Sequence, residues 1–197
     1  MVEEKTHIFT IDVKTDGING KCFWIAAFVI KKDQWEDRTE FNGLLNCDEY
    51  IWTDAFSRDR VYSYANTCST FTDKRKPTLF ASHYELIDAF WTFYLKYHEC
   101  SDIVTDSPLL SISKLFSDCL NLNQYPDSRK YKLPYPLLDI SSMLHAKRFY
   151  SNISREAFML QNNCSQVPRH WLQLSLDPLC SSLVTFSIFI FLTNLKK

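Results

Sequence analysis

Glycine is nearly missing from this chain: three in 197 residues, at Gly17, Gly20 and Gly43. Loops that cradle phosphates need glycines in a row, so a P-loop and a dinucleotide-binding fingerprint are both excluded. A surplus of either charge is missing too, with 22 Lys and Arg against 23 Asp and Glu and a net charge of −1. Any nucleic-acid binding must therefore come from a local patch, because the global field gives no help. Cysteine is present but unpatterned. The seven cysteines, Cys22, Cys47, Cys68, Cys100, Cys119, Cys164 and Cys180, are odd in number and never spaced as a C-x-x-C pair. Met1–Lys5 is charged and an apolar strand pattern follows at once, which argues against a secretory leader. Reduced thiols in a cytoplasmic or nuclear protein are the expectation, and Asn152-Ile-Ser and Asn163-Cys-Ser are then chance sequons.

What the chain does have is apolar and aromatic bulk, 46% and 15% of its residues, enough for one well-packed domain. His7–Val13 reads as a strand, Asp16–Gly20 as a turn and Lys21–Lys31 as a second strand. Gln34–Asp37 reads as a polar turn before a third strand over Thr39–Leu45. Short connections between sequential strands predict an antiparallel meander. A helix is possible over Asp48–Ala65, and Asp73–Pro77 is a basic loop. Ser82-His-Tyr-Glu85 fits a capping box, and behind it Tyr84, Ile87, Trp91, Tyr94, Leu95 and His98 recur at helical spacing as a core-facing stripe. Asp102–Asp106 predicts a short strand, and Pro108 suits the first turn of a helix running to about Leu120. Asn121–Pro136 reads as a loop. Asp139 then caps a helix over Ile140–Phe149, and Ser151–Gln161 predicts one more. Strands first, then helices alternating with a strand, give a mixed α/β sheet.

The tail is unusual. Leu179–Leu195 carries no charge, a length at the bottom of the range for a membrane span, and contains several Ser, Thr and Asn residues. A buried terminal helix and a membrane anchor both remain open.

Asp12 interrupts a β-branched, apolar strand, where a carboxylate is costly unless it is paired or bound to metal. Asp106 sits where a strand hands over to a helix. Two-metal phosphodiester hydrolysis needs carboxylates converging from such rigid strand ends, with Mg2+ or Mn2+ as oxygen-seeking ions. The stretch Phe9-Thr-Ile-Asp12-Val-Lys14-Thr-Asp-Gly17 resembles the first motif, Phe-x-Asp-x-Glu-Thr-x-Gly, of the DEDD-type 3′–5′ exonucleases of the ribonuclease H-like superfamily. Ile103-Val-Thr-Asp106-Ser-Pro108 is similar to the second motif, and Tyr135-Pro-Leu-Leu-Asp139 to the stretch before the third. Val167-Pro-Arg-His170-Trp171 looks like the opening of the last motif of the histidine branch, His-x-x-x-x-Asp. There the chain departs from the pattern, because the next acid, Asp177, lies seven residues past His170.

The resemblance spans roughly residues 7–171. It implies a ribonuclease H-like α/β domain over 1–171, an antiparallel three-strand meander continued by parallel strands and flanked by helices, with 172–197 as an atypical apolar tail. It implies a metal-dependent 3′–5′ exonuclease of DNA or RNA ends, with Asp12, Asp106 and Asp177 as metal ligands and His170 activating water. Lys14 stands in the place of the family's glutamate. At ~4–6 Å and an effective dielectric of about 20, a lysine there opposes a divalent ion by several kcal/mol. Strand alternation would let Asp16 compensate in part, although Gly17 argues that the strand is already turning there, and Lys14 could instead replace the ion by pairing with Asp12. A catalytically inactive relative that binds nucleic acid or a protein partner is therefore the alternative. The basic segments Lys74-Arg75-Lys76 and Arg129-Lys130-Tyr131-Lys132 are candidates for tracking a nucleic-acid backbone, with Tyr131 and Tyr135 available to stack. His83, His98 and His145 read as surface or packing residues.

Overall fold

Nine consecutive buried residues, Cys22 to Ile30, make up most of β2 (Cys22–Lys31) and dictate the architecture. A strand apolar on both sides needs cover on both faces. The computed structural model describes residues 5–17, 20–32, 34–46, 55, 58–59, 76–106, 108–122, 132–134, 136–149, 154–162, 164 and 178–194. On one side of β2 lies β1 (His7–Thr15), antiparallel from His7↔Lys31 to Thr15↔Cys22. On the other lies β3 (Gln34–Leu45), antiparallel from Lys31↔Gln34 to Trp24↔Leu44. Three short parallel strands extend the sheet: β4 (Thr78–Phe80) beside β3, β5 (Ser101–Thr105) beside β1, and β6 (Leu137–Asp139) beside β5. The order is β4-β3-β2-β1-β5-β6. This six-stranded mixed sheet, an antiparallel meander continued by parallel strands and flanked by helices, is consistent with a ribonuclease H-like arrangement.

The alternation of β1 sorts the core. Phe9, Ile11 and Val13, with Ile25, Ala27, Val29 and Ile103, face α1 (His83–Tyr97) and α2 (Ser113–Asn121). Ile8, Ala26, Phe28, Ile30 and Val104 face α3 (Ile140–Ala146), α4 (Arg155–Gln161) and α5 (Pro178–Asn194). On the first face Phe9 meets Phe93 and Tyr94 edge-on, with ring centroids 5.6 and 5.8 Å apart. Gly43 lets α1 approach β3 closely, since a Cβ there would stand 2.7 Å from Leu86 Cδ1 and 2.9 Å from the Phe41 ring.

Several boundaries differ from the sequence pattern for local reasons. β3 already begins at Gln34, because its backbone ladder with β2 tolerates polar side chains that point to solvent, as Asp37, Arg38, Thr39 and Glu40 do. β4 and β6 are only three residues long, too short to carry a periodic signal. The stretch after Pro108 opens as a π-helical turn, Pro108–Ile112, before α2. α3 ends at Ala146, and Arg148 is left-handed at φ 62°. In α1 the buried residues are Leu86, Ile87, Phe90, Trp91 and Tyr94, whereas Tyr84 and Leu95 point outward. The capping box forms with one variation: Ser82 Oγ accepts from Glu85 N at 3.2 Å, and the Glu85 carboxylate accepts from Ala81 N at 3.1 Å. Asp139 caps α3, accepting from Ser141 N and Ser142 N at 3.1 Å each. The expected helix over Asp48–Ala65 falls almost wholly outside the described residues, as do residues 151–153 of the helix expected over Ser151–Gln161.

α5 is apolar all round and buried along nearly its whole length, which requires neighbours on every side. It lies against β1, β2 and β5, with α3 and α4 also in contact. Among the described residues no helix is long and apolar enough to cross a membrane. One buried polar contact joins α5 to the sheet, Thr10 Oγ1 to Ser182 Oγ at 2.7 Å. Truncating one hydroxyl leaves the other buried without its partner, so Ser182→Ala is expected to cost ~1–3 kcal/mol in urea unfolding. Removing both, in Thr10→Val with Ser182→Ala, is expected to cost less than the sum of the two single changes. Strict additivity in that cycle would refute the coupling.

Candidate functional site

Ile11↔Thr105 is the last parallel pair between β1 and β5, and the next residue on each strand is an aspartate, Asp12 and Asp106. Alternation puts Asp12 on the same face as Ile8 and Thr10, and Asp106 on the same face as Val104. The structure thus places the two candidate acids side by side, just past the end of the β1–β5 ladder, on the α3–α5 side of the sheet.

Each acid is already compensated by the protein. Lys14 lies two residues beyond Asp12 on the same face, and its Nζ donates to Asp12 Oδ2 at 2.7 Å, both side chains being half-buried. Asp106 is held more elaborately. Arg155, the first residue of α4, donates from Nε to Asp106 Oδ1 and Oδ2 at 2.8 and 3.0 Å, and its Nη2 lies 2.8 Å from Oδ1. Ser141, in the first turn of α3, donates to the same Oδ1 at 3.2 Å and accepts from Arg155 Nη2 at 2.6 Å. A guanidinium fork on a carboxylate is the stronger and more directional kind of ion pair.

Asp16 lies beyond a register shift between Lys14 and Thr15, which interrupts the 12-14-16 alternation. It is buried in the β1–β2 turn, where its N–H donates to Lys21 O at 3.0 Å and Gly17 adopts φ 70°. His170 and Asp177 lie outside the described residues, as do Lys74, Arg75, Arg129 and Lys130. Lys76 is exposed, on the stretch leading into β4. Lys132 is tied to Glu99, and the hydrogen bond and charge of Lys132 hold the Glu99 carboxyl below its usual range. Its backbone carbonyl also accepts from Tyr94 Oη at 2.7 Å. The described residues therefore supply little of the basic path expected from the sequence.

Among the described residues no group of three or more His, Cys, Asp or Glu side chains is placed to hold a metal ion. A divalent ion at Asp12 would meet the Lys14 ammonium, and one at Asp106 would meet the Arg155 guanidinium. Among the described residues, Asp12 and Asp106, paired as they are with Lys14 and Arg155, do not fit Mg2+ or Mn2+. Arg155 and Ser141 are the site residues that sequence reasoning missed. Arg155 is 49 positions from Asp106, and only the parallel pairing of β5 with β6 and the docking of α4 bring them together.

Among the described cysteines, Cys22 and Cys164 are poor nucleophiles, because burial disfavours their thiolates. Cys22, Cys100, Cys119, Cys164 and Cys180 form no disulfide with one another. Burial, with the Asp118 charge adding to it, pushes the Cys22 thiol well up, and burial raises Cys164.

A second titratable cluster lies under the other face. His83 Nε2, at the start of α1, stands 3.5 Å from Asp118 Oδ2 in α2, and Lys114 Nζ lies 2.5 Å from Asp118 Oδ1. Burial alone would raise the Asp118 carboxyl, but the adjacent His83 and Lys114 outweigh it and hold the carboxyl below its usual value. A lowered folded-state value means that stability from this group is complete above the ordinary carboxylate pKa of ~3.9 and is lost as pH falls through the lower folded value. Asp118→Asn is thus expected to flatten the acid side of a plot of melting temperature against pH, and an unchanged acid slope would refute the assignment. In sequence comparison, no protein family and no curated protein matches this chain.

Proposed function

We propose that this chain is a catalytically inactive ribonuclease H-like protein that acts by binding nucleic acid or a protein partner. The observation that carries the reading is the Asp12–Lys14 pair at 2.7 Å, a fixed positive charge where metal-dependent hydrolysis needs a divalent ion beside a free carboxylate. The fold survives such an exchange because the ammonium meets the electrostatic need of the half-buried Asp12 carboxylate as an ion would. A second reading, a metal-dependent 3′–5′ exonuclease of DNA or RNA, is favoured by one feature, the adjacency of Asp12 and Asp106 just past the end of the β1–β5 ladder.

The two readings part in a single assay. End-labelled single-stranded DNA and RNA are incubated with the protein and Mg2+ or Mn2+, against EDTA, beside Asp12→Ala. No trimming by the folded wild-type chain is expected. Metal-dependent shortening from the 3′ end that Asp12→Ala abolishes would sink the proposal and establish the exonuclease.

A further inference from the structure

We infer that Arg155 is a built-in counter-ion that closes the end of β5 to divalent metal and locks the α3–α4 layer to the sheet through Asp106 and Ser141. The inference takes the proposed reading of Asp12 and Asp106 as its starting point, but rests on different residues. It begins with the register of the sheet. Thr105 pairs with Asp139 at the end of β6, so Asp106 emerges beside the start of α3. Asp139 caps that helix with its own carboxylate and so fixes the first turn, which aims Ser141 Oγ at Asp106. Ser154 caps α4, accepting from Ala157 N at 3.2 Å, and this sets the direction in which Arg155 leaves the first helical position. Three separately fixed elements thus converge on one carboxylate.

The contacts leave Asp106 little to offer a metal. Oδ1 accepts from Arg155 Nε and Ser141 Oγ and lies within ion-pair distance of Arg155 Nη2, while Oδ2 accepts from Arg155 Nε. Arg155 Nη2 also donates to Ser141 Oγ, so the serine is ordered by the same guanidinium. A positive charge stays beside this carboxylate at every physiological pH, because an arginine guanidinium does not deprotonate in proteins. A divalent ion could reach Asp106 only by displacing that charge and leaving it, and Ser141, without their partner. Lys14 guards Asp12 in a looser way, through one hydrogen bond from a flexible stem. The two cations therefore act separately, each on its own acid.

The test is a titration with MnCl2 and MgCl2, followed by calorimetry and melting temperature, on wild type, K14E, R155Q and K14E/R155Q. Wild type is expected to show no saturable binding, and K14E at most weak binding. The double variant, with the carboxylates at positions 12, 14 and 106 all released, is expected to bind Mn2+ at least about tenfold tighter than K14E. Equal binding by K14E and the double variant would overturn the inference, since Arg155 would then exclude nothing. So would a folded double variant that binds no tighter than wild type. A measurement on the unaltered protein stands beside these in case a variant fails to fold. The Arg155 Nε–H signal in NMR is expected to exchange slowly and to stay unmoved by millimolar MgCl2. Fast exchange, or a shift on adding Mg2+, overturns the inference. Wild-type protein that binds Mn2+ yet trims no nucleic acid would defeat this inference and leave the proposed function standing.

Discussion

A carboxylate held against a sheet needs a positive charge beside it, and where the β1–β5 ladder ends, two of them, Asp12 and Asp106, are each given one. Asp12 takes it from its own strand, two residues on, at Lys14. Asp106 takes it from a helix 49 residues away, through Arg155. The difference matters for the fold. The first pair is local and ties nothing together, whereas the second reaches across β5, α3 and α4. Were the charge at Asp106 supplied by an exchangeable ion, the docking of those helices would depend on ion supply.

The rest of the architecture follows from the apolar run of β2. With both faces buried, the sheet must be the middle of three layers. The aromatic stripe of α1 fills one side, where Tyr94 stacks with Phe90 and with Trp91, and Phe90 and Tyr94 meet Phe116 of α2 edge-on. The other side is sealed by α5, whose apolar surface on all sides matches its burial. A polar group inside that layer is tolerated where it finds a partner, as Thr10 and Ser182 do, or where it bonds back to its own helix, as Ser187 does to Leu183 O at 3.0 Å.

Much of the fold was legible in the residues, and the failures have physical causes. The meander, the capped α1 and the strand leading to Asp106 all carry local signals that tertiary packing reinforces. β4 and β6 do not, because three residues hold no period and exist as strands only through their neighbours. The stripe on α1 was read one position wide of the mark at Tyr84 and Leu95, because an aromatic or leucine at a helix edge reads the same in sequence whether or not the sheet reaches it. At the candidate site, Asp12, Asp106 and the awkward Lys14 were visible as residue types at a spacing. Arg155 was not, since nothing in Ser154-Arg155-Glu156 distinguishes it from an ordinary charged first turn.

The position of α5 in the chain has a consequence for synthesis. The strands it covers, β1, β2 and β5, lie within the first 105 residues, and α5 begins only at Pro178. Throughout that interval on the ribosome, Ile8, Phe28, Ile30 and Val104 lack the helix that shields them in the finished protein. Vectorial synthesis thus brings the α1–α2 side together first and leaves an oily slab uncovered until α5 has been made. A ribosome that stalls after α4 would release an adhesive half-covered sheet, so α5 decides when this side of the sheet can close.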